Sequence, residues 1–252
     1  MQEGKTRMEF QEQRDNIEIM KQWIQESKKI VFFGGAGVST ESHIPDFRSV
    51  DGIYMQEYDY RPETILSHTF YKKNPEEFYR FYRNKMLFPN AEPNKAHMAL
   101  AKLEQEGKLT AVITQNIDGL HQKAGSKRVL ELHGSVHRNY CEKCGKFYSL
   151  DDILHTEGVP LCSCGGVIKP DVVLYEEGLD SDILRQSVQA VEQADMMIVG
   201  GTSLIVYPAA GLLDYYHGRK LVLINQGGTG RDHQANLIIH KPIGETLAYL
   251  LD

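Results

Sequence analysis

The chain has 252 residues, 41% hydrophobic and 25% charged, so it can bury one substantial core and still carry a small inserted module. Its formal net charge of -6 disfavours DNA or RNA as the main partner, because a strongly basic binding surface is missing. No segment approaches the roughly 18 apolar residues of a membrane span, and residues 1–15 have no apolar signal-peptide core. We therefore expect a cytoplasmic protein that binds neither nucleic acid nor membrane.

Short apolar segments alternate with helical patterns along the chain. The spacing of apolar residues over 15–27 predicts an amphipathic helix, and further helices are predicted over 94–106 and 181–193. Buried strands are predicted at residues 30–33, 110–114, 129–132, 196–199 and 221–224. Strands that alternate with helices indicate an α/β fold with a doubly wound, Rossmann-like parallel sheet.

Two segments interrupt this alternation. Residues 51–88 are rich in Tyr, Phe, Glu and Arg and lack a buried-strand pattern, which predicts a helical insert. Residues 140–168 hold every cysteine of the chain beside several glycines, which predicts a zinc ribbon. We expect these two insertions to form a smaller, discontinuous domain, while residues 1–50, 89–139 and 169–252 form the Rossmann-like domain.

The four cysteines form two close pairs, Cys141 with Cys144 and Cys162 with Cys164. Two thiolate pairs on tight turns can place four sulfurs tetrahedrally around zinc, whereas disulfides that staple a fold would be scattered along the chain. The alternatives are four free thiols or a redox pair. A closed set of four cysteine ligands leaves no position for water, so we predict one structural zinc ion and no metal catalysis.

Polar or glycine-rich segments follow the predicted strands at their carboxyl ends, where open α/β sheets bind ligands. These segments are Gly35-Ala36-Gly37, Gln115-Asn116-Ile117-Asp118, His133, Gly201-Thr202-Ser203 and Asn225. Taken singly, each is equally consistent with a loop or a cap. The third glycine of the dinucleotide fingerprint is also missing, because Thr40 stands in its place. Since all of them converge on one edge of the sheet, we interpret them together as a cofactor cleft.

At this point the sequence resembles the sirtuins of bacterial type, over residues 30–251. The resemblance rests on a set of motifs in the family's order, together with the four cysteines. The motifs are Gly35-Ala36-Gly37-Val38-Ser39, Ile44-Pro45-Asp46-Phe47-Arg48, Thr114-Gln115-Asn116-Ile117-Asp118-Gly119-Leu120-His121, Leu132-His133-Gly134-Ser135, Gly201-Thr202-Ser203-Leu204 and Ile224-Asn225.

The resemblance implies an NAD-dependent protein-lysine deacetylase, which passes the acetyl group of acetyl-lysine to ADP-ribose. The products would be nicotinamide, O-acetyl-ADP-ribose and free lysine. His133 matches the family's catalytic base, and Asn116 matches the residue that orients the ribose and a water. An imidazole with a pKa of ~6.5 suits a base that works near neutral pH.

The other matching residues would bind NAD or the protein substrate. The cofactor contacts implied by the resemblance are Ala36, Thr40, Phe47, Arg48, Gln115, Ile117, Asp118, His133, Thr202, Ser203, Asn225 and Ile243. Val172, Val173 and Tyr175 match the loop that pairs with an acetylated protein or peptide. We expect a monomer. The alternatives are a protein ADP-ribosyltransferase and a non-catalytic module that binds NAD or carries only the zinc ribbon.

Three positions depart from the family's pattern. His43 replaces a glycine for which a left-handed conformation is expected, and we predict a lower NAD affinity than with glycine there. Glu176 replaces the glycine of a Phe-Gly-Glu motif and could favour basic residues beside the target lysine. Lys85 stands where members that prefer succinyl or malonyl groups have the arginine of a Tyr-x-x-Arg pair that begins here at Tyr82, so an uncharged acyl group is favoured. A shifted register could still supply Arg80 or Arg83.

Overall fold

Six parallel strands form the large sheet in the computed structural model, which describes residues 2–47, 52 and 60–252. The strands are β1 (Ile30–Gly34), β2 (Leu109–Thr114), β3 (Val129–Glu131), β7 (Met196–Gly200), β8 (Leu221–Ile224) and β9 (Leu237–Ile239). Their order across the sheet is β3-β2-β1-β7-β8-β9, so the chain starts in the middle and winds outward in both directions. The predicted doubly wound parallel sheet is confirmed.

Helices cover both faces of this sheet, which explains why its central strands are apolar throughout. The helices of the chain are α1 (Gln2–Glu26), α2 (Pro62–Ile65), α3 (His68–Lys73), α4 (Pro75–Lys85), α5 (Lys95–Gln105), α6 (Leu120–Lys123), α7 (Leu150–Leu154), α8 (Ser181–Glu192) and α9 (Ile243–Leu247). In the part of the chain that the structure describes, no helix has both the length and the apolar composition needed to cross a bilayer.

Alternate residues of β1 belong to two different cores. Ile30 and Phe32 lie in a cluster with apolar residues of α1, α5 and α9. Val31 and Phe33 lie in the other cluster, with residues of α8 and of the 3-10 segment Ala209–Tyr215. This alternation is the expected consequence of successive strand side chains pointing to opposite faces.

The two insertions share one separate core, and the small sheet in it extends beyond the predicted ribbon of residues 140–168 on both sides. A three-stranded antiparallel sheet has the order β5-β4-β6, formed by β4 (Gly134–Cys141), β5 (Phe147–Ser149) and β6 (Ile168–Val172). Aromatic residues of α3 and α4, among them Tyr71, Phe78 and Tyr82, are buried in one cluster with Cys141 and Ile168 of this sheet. The helical insert therefore packs directly on the zinc ribbon.

Two elements differ from the sequence-based expectation. The first helix begins at Gln2, well before the amphipathic segment, and β9 is an additional edge strand. The two elements contact each other through polar groups. The Asn16 amide donates to the carbonyl of Ile238 (2.9 Å), and the Gln13 side chain accepts from the amide of His240 (2.8 Å), so α1 is held by polar contacts along the outer edge of β9. Such contacts leave no hydrophobic period in the sequence.

Candidate functional site

A cleft of about 430 Å³ lies at the carboxyl ends of the parallel strands, within the size range of small-molecule sites. The structure brings most of the predicted site residues together on its wall. These are Ala36, Phe47, Gln115, Asn116, Ile117, Asp118, His133, Val172, Val173, Tyr175, Thr202, Ser203 and Asn225. Residues from β1, β2, β7 and β8 thus meet where their strands end, as the argument from the parallel sheet requires.

Two predicted cofactor residues, Thr40 and Ile243, are not on this wall. The Thr40 hydroxyl donates to the carbonyl of Gly37 (3.0 Å). Ile243 is buried in the core beside β1, and its side chain lies against Gly200. Arg48 lies outside the described residues. The assignment of these three side chains to the cofactor stays a prediction.

Two strand-end turns approach each other closely at the floor of the cleft. The amide of Gly37 donates to the carbonyl of Gly201 (2.8 Å), and a Cβ atom on Gly37 would lie 2.8 Å from the Gly201 Cα. The Gln115 amide donates to the Thr202 hydroxyl (3.0 Å) and joins a third turn to this pair. Glycine is required at position 37 because any side chain would separate the turns.

Three polar side chains form a buried hydrogen-bonded chain between the turns after β1 and β2. The Asn116 amide donates to the Ser39 hydroxyl (3.0 Å), which in turn donates to the Asp118 carboxylate (2.7 Å). The second oxygen of Asp118 accepts the amide of Leu120 (2.9 Å). Ser39 and Asn116 are almost fully buried, so the cluster fixes both turns before any ligand binds.

His133 is held with one ring nitrogen directed at the backbone. Its Nδ1 lies 2.9 Å from the carbonyl of Gln115, and a carbonyl can only accept, so Nδ1 carries the hydrogen. The unprotonated Nε2 is then available on a side chain that lines the cleft. Burial lowers the pKa of His133, opposed by the hydrogen bond to Gln115, so the imidazole is neutral at pH 7 and can accept a proton.

The segment that follows β6 also lines the cleft and is hydrogen-bonded on both sides. The amide of Val173 donates to the carbonyl of His133 (3.0 Å). Tyr175 exchanges backbone hydrogen bonds with Leu66 and His68, each 3.0 Å long, in a short parallel bridge to the helical insert. The predicted substrate loop is therefore anchored to the base on one side and to the insert on the other.

Carboxylates reinforce this loop. Burial by itself would raise the pKa of Glu177. The hydrogen bonds from His68 and from the Leu174 backbone amide, together with the charge of Lys169, outweigh burial and lower this pKa. The Glu176 carboxylate accepts the backbone amide of Thr69 (2.9 Å), and its residue has a left-handed φ of 76°. Glu176 thus bonds to the insert, a contact that the suggestion of selectivity for basic flanking residues did not foresee.

The helical insert also contributes to the wall of the cleft. Tyr82, Lys85 and Met86 of this insert line it. Arg83 instead donates to the carbonyls of Ile153 and Gly158 and to the hydroxyl of Thr156. Arg80 pairs with Glu77 on the same helix. Neither arginine is on the cleft wall, so the register that begins at Tyr82 is the one that the structure presents to a ligand.

The four cysteine thiols form one cluster, in which all sulfur atoms lie within 4.8 Å of one another. The Cys141–Cys164 and Cys144–Cys162 sulfurs are 3.4 and 3.6 Å apart, and none of the four forms a disulfide. A tetrahedral zinc ion with Zn–S bonds of about 2.3 Å needs sulfurs about 3.8 Å apart, which these positions match. The four cysteines are therefore positioned to hold one zinc ion.

Two polar residues, Ser39 and His137, bond to the predicted site residues but were given no site role from the sequence. Ser39 connects Asn116 to Asp118, and His137 lies on the cleft wall with Nε2 3.0 Å from the carbonyl of Asp118. Ser39 could have been found from its place directly after the glycine turn. His137 has no comparable signal, because its contact depends on how β4 passes the turn after β2.

Comparison with known proteins gives consistent matches over nearly the whole chain. A family model described as "Sir2 family" matches residues 35–208. The chain is 58% identical over 237 residues to an NAD-dependent protein deacetylase of Clostridium acetobutylicum, with 92% of this chain and 97% of that protein covered. It is 55% identical over 242 residues to an NAD-dependent protein deacetylase of Clostridium perfringens, covering 94% and 99%.

Solved structures also match over more than nine-tenths of the chain. The structure described as "Sir2-p53 peptide-NAD+" superposes with a TM-score of 0.81 at 43% identity, covering 91% of this chain and 95% of that chain. "Sir2 bound to acetylated peptide" superposes with a TM-score of 0.81 at 39% identity, covering 93% and 97%.

Proposed function

Because the chain belongs to the Sir2 family, we propose that its cleft removes acetyl groups from protein lysines with NAD as co-substrate. One observation supports this most directly. A neutral imidazole, His133, shares a cleft with the bonded group of Ser39, Asn116 and Asp118, at the strand ends where the fold binds ligands. The match to "Sir2-p53 peptide-NAD+" over 91% of the chain supports the same choice of ligands.

Each residue of the site would have its own role in the reaction. When bound, NAD supplies the ADP-ribose that accepts the acetyl group and the nicotinamide that leaves. His133 takes up a proton at Nε2, because Nδ1 is committed to the Gln115 carbonyl. Asn116 orients the ribose and a water, and Asp118 with Ile117 holds the nicotinamide amide. The hydroxyl, amide and carboxylate groups of the wall suit a ligand rich in hydroxyls and carboxamide.

The remaining cofactor roles follow the two halves of NAD. Ala36, Thr40, Phe47 and Arg48 would surround the ribose and diphosphate. Gln115, Thr202, Ser203, Asn225 and Ile243 would serve the remainder of the molecule, chiefly its adenosine half. We assign NAD binding to the domain of residues 1–50, 89–139 and 169–252, and structural support to the insert 51–88 and the ribbon 140–168.

The substrate would be an acetylated protein or peptide. Val172, Val173 and Tyr175 lie on the wall beside His133 and would pair with the peptide main chain. Acetyl is favoured over acidic acyl groups, since Tyr82 and Lys85 line the cleft, whereas Arg80 and Arg83 do not. The zinc ion would be structural. The net charge of -6 supports the absence of a nucleic-acid partner. We also expect a cytoplasmic monomer without a membrane partner.

The deciding experiment is mass spectrometry of an acetyl-lysine peptide incubated with the protein, with and without NAD. We expect NAD-dependent loss of the acetyl group and formation of O-acetyl-ADP-ribose. His133→Ala removes the base and should abolish the reaction. Circular dichroism of the variant is the control, because its fold should be unchanged.

Other outcomes point to other reactions. Cleavage of NAD without deacetylation, with ADP-ribose attached to protein, would indicate a transferase instead. Faster removal of succinyl than of acetyl at matched peptide concentration would contradict the choice of acyl group. An absence of NAD cleavage with every acyl peptide would leave only the binding module.

A further inference from the structure

We propose that His137 is a positioning residue for the nicotinamide amide pocket and sets how strongly nicotinamide inhibits the enzyme. This inference rests on the proposed function, which assigns that pocket to Ile117 and Asp118. His137 is an exposed residue of β4, on the cleft wall and four residues beyond the base His133. Its ring contacts the backbone of the pocket and not the carboxylate of Asp118.

The first contact is a hydrogen bond. The His137 Nε2 lies 3.0 Å from the carbonyl oxygen of Asp118. Because a carbonyl oxygen can only accept, Nε2 carries the hydrogen. Both the neutral Nε2–H tautomer and the imidazolium satisfy this requirement, so the bond persists whether or not the ring is protonated.

The second contact is steric. Gly119 has a left-handed backbone, with φ of 71°, and begins the short helix α6. A Cβ atom on Gly119 would lie 2.7 Å from Cδ2 and 2.8 Å from Nε2 of His137. The ring therefore lies directly against the Gly119 backbone. Glycine has the widest backbone freedom of all residues. The His137 ring therefore restricts a backbone motion that Gly119 would otherwise allow.

These two contacts act on one peptide plane, the bond between Asp118 and Gly119. The Asp118 carboxylate also accepts the Leu120 amide (2.9 Å), two residues further along the chain. A rotation of the intervening peptide plane would move the Leu120 amide away from the carboxylate. His137 fixes that plane from outside the turn, so the direction of the Asp118 carboxylate depends on it.

The neighbouring residue is held in the same way by β4. The amide of Val136 donates to the carbonyl of Ile117 (3.0 Å). Consecutive residues of β4 thus bond to consecutive carbonyls of the pocket, one from the main chain and one from the imidazole. The bond from the Val136 main chain does not depend on the side chain at position 137, whereas the bond from the imidazole does. Nicotinamide affinity should respond to that side chain.

The test compares three variants of the full-length, zinc-loaded protein. His137→Phe keeps a ring against Gly119 and removes the donor, His137→Gln keeps an N–H donor, and His137→Ala removes both contacts. The matched control is His155→Phe. His155 is also an exposed histidine bonded to a backbone carbonyl, that of Asp151 at 2.7 Å, but it lies on the zinc module away from the cleft wall.

The measurements are the nicotinamide inhibition constant, the rate of labelled nicotinamide exchange into NAD, the KM of the acetylated peptide, and thermal stability. In His137→Phe we expect the inhibition constant to rise about three- to tenfold, the effect of one lost hydrogen bond. Peptide KM and thermal stability should stay at wild-type values. His137→Gln should return the inhibition constant towards wild type, and His155→Phe should not change it.

An unchanged inhibition constant in both His137→Phe and His137→Ala would overturn the proposal. Equal shifts in the Phe and Gln variants, or shifts that follow thermal stability or peptide KM, would also overturn it, because they would indicate a purely structural role. His137→Ala provides the comparison if His137→Phe does not fold. A wild-type protein that deacetylates nothing with NAD would refute the proposed function, and this inference with it. Wild-type turnover with unaffected variants would refute this inference alone.

Discussion

Two turns on opposite sides of the Ser39–Asp118 hydrogen bond use the same rare backbone conformation with very different residues. His43 ends the turn after β1 with φ of 62° and ψ of 24°. Gly119 ends the turn after β2 with φ of 71° and ψ of 10°. Left-handed geometry costs a residue with a side chain roughly 1–2 kcal/mol, and glycine avoids that cost.

The surroundings of the two residues differ in the opposite sense from their conformational costs. Position 119 is unstrained but sterically closed, because the His137 ring occupies the space where a Cβ would lie. Position 43 carries strain that neighbouring bonds offset. The amide of Ile44 donates to the Ser39 carbonyl (3.2 Å), and the Asn94 amide donates to Val38 O and Ser42 Oγ. One turn is thus fixed by packing and the other by hydrogen bonds.

The largest effect on activity is expected from closing the space at the second turn. Gly119→Ala adds left-handed strain and places a methyl group 2.7–2.8 Å from the His137 ring, which must move and lose its hydrogen bond to Asp118, so the fold should be destabilised by about 2–3 kcal/mol. Because Asp118 must move with the turn, kcat/KM for deacetylation should fall by about 100-fold. Urea unfolding and steady-state kinetics measure the two effects.

Gly107 provides the matched control for this substitution. It has nearly the same φ, 73°, but no atom would lie within 4 Å of an added Cβ. Gly107→Ala should therefore cost only the left-handed strain, about 1 kcal/mol, and leave kcat/KM unchanged. Equal losses of stability and activity in the two variants would refute a specific role for the contact between Gly119 and His137.

The next effect concerns a buried histidine pair that connects the two turns. His97 accepts the amide of Asn94 at Nδ1, while His121 belongs to α6, and their ring centroids are 4.7 Å apart. Within the described residues, His97 Nε2 and both nitrogens of His121 have no hydrogen-bond partner. Burial lowers the pKa of His97 from 6.5 to about 4, opposed by the charge of Asp118. Burial, reinforced by His97, places the pKa of His121 well below its usual value.

Both rings are neutral in the fold, so acid should favour the unfolded chain. The contribution to stability is complete above pH 6.5 and is lost as the pH falls from 6.5 towards 4, since only the unfolded histidines take up protons in that window. Between pH 7 and pH 5 we expect the free energy of unfolding to drop by about 4 kcal/mol more than in a His97→Gln/His121→Met variant, on the order of 2 kcal/mol for each of the two histidines. His155→Gln is the exposed control. Identical pH dependence in all three proteins would contradict the assignment.

The sequence predicted the parts of this molecule that leave a periodic or spaced pattern. The central strands, the four-cysteine cluster and the convergence of Gln115, His133 and Thr202 on one cleft all depend on such patterns. The edge strand β9 has only three residues, and the side chains of α1 that bond to it, Asn16 and Gln13, are polar. Because neither the strand nor these contacts give a hydrophobic period, neither was predicted.

The sequence also did not predict contacts in the site between segments that are separated along the chain. Glu176 bonds to Thr69, more than 100 residues away, and His137 reaches Asp118 across a strand. These contacts depend on how the small sheet sits against the turns, which no local pattern encodes. His43 is the opposite case. Its left-handed geometry was predicted from one position, because the family's glycine there indicates a backbone conformation that few other residues adopt.

The smallest effect is expected from relieving strain at the first turn. His43→Gly should stabilise the protein by about 1 kcal/mol, less the entropy that glycine adds to the unfolded chain. If strain at residue 43 also displaces the cofactor segment that contains Phe47, NAD should bind more tightly to the variant. His43→Asn, which tolerates the left-handed region better than most residues, should fall between the two. Urea unfolding and NAD titration separate these effects: higher stability with equal NAD affinity would confine the strain to the turn, whereas lower stability would show that the histidine side chain contributes more through its contacts than its backbone costs.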